Sequence, residues 1–148
     1  MKAKIHNISH GANFQYVEPV NLYGCTLGDD VFVGPFVEIT SGVVIGNRVR
    51  IQSHTFICSG VTIGDDVFVG HGVMFTNDPF KIGRPARGDA NLYRPTNIGD
   101  RVAIGSGVAL LPVNVVADAV IGAGSVVTHN IDTPGIYAGN PARLLRPA

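Results

Sequence analysis

"LGDDVFVGPFVEITSGVVIGNRVRIQSHTFICSGVTIGDDVFVGHGVMF" runs from Leu27 to Phe75. Counting in sixes from Leu27 lands on Val33, Ile39, Ile45, Ile51, Ile57, Ile63, Val69 and Phe75, all large and apolar. Gly follows at 28, 34, 46, 64 and 70, and four places after the lead residues stand Val31, Val37, Val43, Val49, Thr55, Val61, Val67 and Val73. An amphipathic helix repeats at 3.6 residues, and a hairpin strand does not put Gly on a six-residue beat. The pattern predicts short strands whose lead residue, and the residue two before it, both point inward. Each Gly and the two polar residues after it, as in "GDD" and "GNR", are expected to make the bend. Three hexads close a triangular coil of eighteen residues, and stacked coils pair in parallel as a β-solenoid.

Outward from this stretch the beat resumes at Ile98, Ile104 and Leu110, drops one residue near "LLPVN", and continues at Val115, Ile121 and Val127. The expectation is one all-β domain over residues 1–148, with about five coils. Residues 1–20 and 132–148 are read as the irregular caps that the open ends of a solenoid need. Between the two periodic blocks, residues 78–97 break the beat. This insertion holds Pro79, Pro85 and Pro95, and Lys81, Arg84, Arg87 and Arg94 against Asp78 and Asp89. A long ordered loop with an excess of cations reads as a flap over a site for an anionic substrate.

Composition narrows the function. Lys plus Arg and Asp plus Glu are 11 each, so no basic face is expected for nucleic acid. No run of eighteen apolar residues suggests a membrane span, and "MKAKIHNISH" lacks the apolar core of a secretory signal. Cys25 and Cys58 have no metal-type spacing and read as free thiols of a cytoplasmic protein. Of the five histidines, His6, His10 and His129 lie in irregular regions, whereas His54 and His71 lie in repeat corners on adjacent coils.

The hexads "IGDDVFVG", "IGDRVAIG" and "VIGAGSVV" resemble those of the hexapeptide-repeat acyltransferases. That resemblance implies a left-handed parallel β-helix and a homotrimer with sites between subunits. "GIYAGNPARLL", Gly135–Leu145, resembles the C-terminal loop of members that use acetyl-CoA. It implies a CoA site at Gly105, Gly107, Ala123, Asn140, Pro141, Arg143 and Arg146. In sugar O-acetyltransferases the general base is a His in a "WIGSH"-like hexad; here the stretch is "AIGSG", with Gly107 at that place. A hydroxyl nucleophile needs a base, whereas a neutral amine attacks directly. "NLYGCTLGDDVFVGPFVEI", "IQSHTFIC" and "GHGVMFTND" resemble the N-acetyltransferases of nucleotide-linked 3-amino sugars, which serve surface polysaccharide biosynthesis. There the implied roles are Asn77 orienting the amine and His71 as the second catalytic candidate. His54, Ser59, Asp78, Arg84 and Tyr93 are implied substrate contacts, and no metal is expected. Three alternatives stay open: an O-acetyltransferase using His71, a γ-carbonic-anhydrase-like metal site at Cys58, His71 and Thr76, and a scaffold without catalysis.

Overall fold

A computed structural model describes residues 3–148, and the chain within them winds as a left-handed parallel β-helix of triangular section. Seven strands stack on the first face, six on the second and eight on the third. Successive strands of one face lie one coil apart and pair in parallel: Phe56 beside Glu38 and Met74, Thr62 beside Val44 and Asn97, Phe68 beside Arg50 and Ala103.

The lead residues fill the interior. Ile39, Ile51, Ile57, Val69, Ile104 and Leu110 are fully enclosed, and so are Val43, Val49 and Val73 of the second apolar set. Burying each such side chain contributes about 1.5–3 kcal/mol. Thr55, the polar member of that set, is also buried; its hydroxyl donates to Gly70 O at 2.9 Å and accepts from Val73 N at 3.2 Å.

The solenoid is longer than the expected five coils, and the added length lies at its ends. Lys4–His6, Ser9–His10 and Gln15–Tyr16, read as cap, are strands that pair with Val20–Tyr23, Thr26–Leu27 and Phe32–Val33. Their hexads carry Ile5, Ile8 and Phe14, which pack against the core, but His10 and Tyr16 stand at the lead places opposite Leu27 and Val33 and disguise the beat. At the other end Gly135–Ala138 adds a strand to the third face beside Val120–Ile121. Arg143–Pro147 then folds back on it as an antiparallel edge. The insertion ends sooner than expected, because Thr96 and Asn97 already pair with Val61 and Thr62.

The bends fall on the polar pairs that follow the Gly, as expected, and the backbone shows how the work is divided. The Gly after each lead residue does not supply the left-handed backbone. Asp30, Arg48, Asp66 and Arg101, two places further on, do so at φ near +57°. The Gly is required by proximity: a Cβ on Gly70 would stand 2.6 Å from Ser106 N of the next coil. No helix of the described residues is long and apolar enough to cross a membrane.

Candidate functional site

Three corners join the faces, and at each of them side chains of successive coils stack in columns. The corner from the second to the third face is built from Asp29, Asn47, Asp65 and Asp100. Each side-chain oxygen accepts the backbone N–H of the coil before it, at 2.7–2.8 Å. Beside this ladder Arg48 pairs with Asp66 and Arg101 with Asp118. We call it the aspartate corner.

The corner from the first to the second face is the one the insertion opens. Two columns climb it, Tyr23–Thr40–Cys58–Thr76 and Ser41–Ser59–Asn77, their members 17 or 18 residues apart. Beyond Asn77 the chain leaves the coil, and Arg94 N, donating to Asn77 O at 2.9 Å, returns it. Asn77 Nδ2 donates to Ser59 O at 3.0 Å and lies 3.4 Å from Ser59 Oγ. A carbonyl can only accept, so this bond fixes which way the amide points. Asn77 Oδ1 is turned away and accepts nothing from the described residues.

The flap is a constructed loop. Asp78 receives Phe80 N at 2.9 Å on one oxygen and Ala86 N at 2.7 Å on the other, and Ala86 is buried within the loop. Tyr93 Oη accepts Gly88 N at 3.0 Å, and Asp89 caps the short 3-10 turn Ala90–Leu92 through Asn91 N. Asp78 and Tyr93, expected as substrate contacts, are thus the struts of the flap. Arg84 stands exposed on it.

Between flap and coil lies a cavity of about 540 Å³. Tyr23, Phe56 and Cys58 make its apolar side, Phe80 reaches in from the flap, and Ser59, Asn77 and Asp78 line it with polar atoms. Burial pushes the Cys58 thiol up to about 11, so it stays neutral near pH 7. Tyr23, Thr40, Phe56 and Phe80 were not singled out from the sequence. Descending from Thr76 by one coil at a time finds Cys58, Thr40 and Tyr23, so the signal was present in the repeat itself.

The third corner, from the third to the first face, holds the other expected residues. His71 sits in the column Ser53–His71–Ser106; its Nδ1 is 2.8 Å from Ser53 Oγ, and its backbone N–H donates to Ser106 Oγ at 3.1 Å. His54 falls in the neighbouring column and stacks on Phe36, with centroids 4.8 Å apart. Above them Gly107 N donates to His71 O, and a Cβ on Gly105 would stand 2.5 Å from Ala123 N. The turn carrying Asn140 and Pro141 covers this end: Gly139 N donates to Ser125 Oγ and Ala142 N to Val126 O. Arg143 and Arg146 follow on the exposed final strand.

Two groups therefore form, at opposite edges of the first face. Asn77, Ser59 and Asp78 gather at the insertion corner. His54, His71, Gly105, Gly107, Ala123 and the 139–142 turn gather at the histidine corner. One chain alone does not bring them together. The same division separates Cys58 and Thr76 from His71, and Thr76 Oγ1 donates to Leu110 O at 2.8 Å. Among the described residues no three His, Cys, Asp or Glu side chains cluster as a metal site.

Comparison with known proteins agrees with this architecture. Residues 24–59 match the family "Bacterial transferase hexapeptide (six repeats)", and residues 95–129 match "Hexapeptide repeat of succinyl-transferase". The chain is 34% identical over 125 residues to "Putative acetyltransferase YJL218W" of Saccharomyces cerevisiae, covering 82% of this chain and 58% of that protein. It is 30% identical over 128 residues to the bifunctional protein GlmU of Thermotoga petrophila, covering 80% of this chain but 28% of that one. The chain thus spans little more than half of the first relative and under a third of the second. Among solved structures, a mutant of AntD, an N-acyltransferase from Bacillus cereus bound to dTDP and coenzyme A, superposes with a TM-score of 0.80. Identity is 19%, and the match covers 94% of this chain and 83% of that one. PerB from Caulobacter crescentus, bound to CoA and GDP-perosamine, gives 0.66 at 20% identity over 95% of this chain and 57% of that one. At such identities the likeness is one of fold.

Proposed function

The chain belongs to the hexapeptide-repeat β-helix proteins, and we propose that it is an acetyl-CoA-dependent N-acetyltransferase whose acceptor is the amino group of a nucleotide-linked sugar. The observation that carries this reading is the amide of Asn77. With Nδ2 held by Ser59 O, its Oδ1 is left as a fixed acceptor beside a cavity large enough for a sugar. An amine donates N–H to such an oxygen and keeps its lone pair for attack. The amine nitrogen then forms a C–N bond to the thioester carbonyl carbon. The C–S bond breaks, and the amine proton leaves with the CoA sulfur as the thiol. Positioning carries most of the rate, since no strong base is required. The AntD and PerB complexes support the pairing of CoA with nucleotide-linked ligands, and another AntD complex holds dTDP-4-amino-4,6-dideoxyglucose.

The division of the site between two corners supports a homotrimer in which the insertion corner of one subunit faces the histidine corner of the next. CoA then lies along Gly105, Gly107, Ala123 and the turn at Asn140 and Pro141, with Arg143 and Arg146 near its phosphates. The acceptor lies at Asn77 and Ser59 under the flap, with Arg84 on its outer side, and His71 and His54 form the opposite wall. Such an enzyme works in the cytoplasm and supplies amide-bearing sugars for surface polysaccharides.

A second reading has its own observation. Ser53 Oγ holds His71 Nδ1 and leaves Nε2 open, an arrangement suited to a general base for O-acetylation. One experiment separates the two. Acetyl-CoA is offered with UDP-, dTDP- and GDP-linked sugars bearing the amine at C3 or C4, and with their hydroxyl counterparts, and CoA release is recorded. Turnover with an amino sugar, lost in Asn77→Ala and only weakened in His71→Ala, is expected. Turnover confined to hydroxyl acceptors, or no turnover and no CoA binding, overturns the proposal.

A further inference from the structure

The segment leading into the flap has two sides. Asp78 and Phe80 line the cavity beside Asn77, whereas Pro79 and Lys81 line a separate one of about 300 Å³ with Asn91, Leu92 and Arg94. Arg94 also lines a smaller cavity of about 150 Å³, where Asn97, Asn114 and Asn130 rise along the edge of the second face. Its backbone is anchored, since Arg94 N donates to Asn77 O at 2.9 Å. A side chain shared by two cavities thus springs from a point bonded directly to the candidate catalytic residue.

The charges around this second cavity are not compensated. Both acids of the flap are turned to its own backbone, Asp78 to Phe80 N and Ala86 N, Asp89 to Asn91 N. The ion pairs among the described residues, Arg48–Asp66 and Arg101–Asp118, lie at the aspartate corner, so Lys81 and Arg94 take part in none. Two unpaired cations and an amide at one cavity suit a ligand with two adjacent anionic groups. Arg offers a planar fork and Lys a mobile point charge, the combination that suits phosphate oxygens.

We propose that Lys81, Asn91 and Arg94 form a diphosphate-binding subsite on the side of the flap away from the Asn77 cavity. The chemistry stands on these residues. The two sources of that diphosphate, the nucleoside diphosphate of the acceptor and the diphosphate of CoA, rest on the function proposed above.

The test titrates the full chain with dTDP, UDP, CoA and inorganic diphosphate by calorimetry. It compares wild type with Lys81→Ala, Arg94→Gln, the double variant and Arg94→Lys. Both side chains are exposed, and a thermal melt checks that the variants fold. Each single change is expected to weaken one class of ligand about tenfold, or ~1.4 kcal/mol. The double variant should weaken it further and flatten its salt dependence, and Arg94→Lys should retain part of the affinity. Weakening of dTDP or UDP assigns the acceptor's diphosphate, and weakening of CoA assigns the donor's. Unchanged affinities in the double variant, or a wild type that binds none of the four, overturn the subsite. Loss of inorganic diphosphate binding in the double variant keeps the subsite even where no acyl transfer is found. Wild-type KM values for both substrates in an active double variant sink the subsite and leave the proposed function standing.

Discussion

The aspartate corner and the insertion corner are built on the same eighteen-residue plan, yet they use their polar groups in opposite ways. At the aspartate corner each side chain of the ladder gives an oxygen to the backbone of the neighbouring coil, and the outer charges pair with each other. Little remains to meet a ligand. At the insertion corner the ladder stops at Asn77, and among the described residues one amide oxygen is left without a partner and the flap carries unpaired cations. A regular repeat satisfies itself; chemistry needs a place where the satisfaction is incomplete.

The sharpest way to break this contrast is to repair the open corner. Replacing residues 78–95 by a single Gly gives Asn77-Gly-Thr96, the pattern of Ser59-Gly60-Val61 one coil below, where Gly60 takes φ +89°. Shortening a loop changes its closure entropy only slightly. Melting is therefore expected to stay close to wild type while CoA release falls to background. A repaired corner that still turned over would place the chemistry elsewhere.

Next in size is Asn77→Ala with the flap kept, expected to cost about 100-fold in kcat/KM, the scale of a misplaced reacting group. Steady-state kinetics beside a melting curve should show activity and stability parting company. The matched change at the other corner, Asp65→Ala, removes the acceptor for Asn47 N. It should cost about 1 kcal/mol in denaturant unfolding and leave turnover unchanged.

The smallest effect concerns the exposed pairs. The Arg48 guanidinium, through its hydrogen bond, holds the Asp66 carboxyl below its usual 3.8, and Arg101 does the same for Asp118. A lowered folded-state pKa means this stabilisation is complete above the ordinary carboxylate range and is lost as pH falls through the folded values. Acid melts of Arg48→Ala should run slightly flatter than wild type below about pH 4, and salt near 1 M should erase the difference.

The fold was legible because its information is local and repeated: Leu27 to Phe75 specifies nine strand positions with one rule. The first coil was not, because the places opposite Leu27 and Val33 hold His10 and Tyr16 and Leu27 comes only five places after Leu22, although Ile5, Ile8 and Phe14 pack against the core. The reason for Gly at position 70 was not legible, on a related ground. Its constraint comes from Ser106 on the next coil, thirty-six residues away and beyond the insertion. The insertion and Asn77 stood out as a break in rhythm. The division of the expected site between two corners did not, because it is a property of three dimensions. Nor did the work of Asp78 and Tyr93 inside the flap, which depends on a loop without periodicity.

The turned-back final strand has a consequence at a larger scale. A parallel β-helix presents at each end a row of unpaired amides and carbonyls that another copy can extend, and unchecked extension is fibre growth. Arg143–Pro147 runs antiparallel on the third face, and the turn before it bonds to Val126 of the first. A copy arriving there meets a strand of the wrong polarity on one side and an occupied edge on another. Within the described residues, the hairpin expected to hold CoA phosphates thus also ends the parallel stacking of the third face.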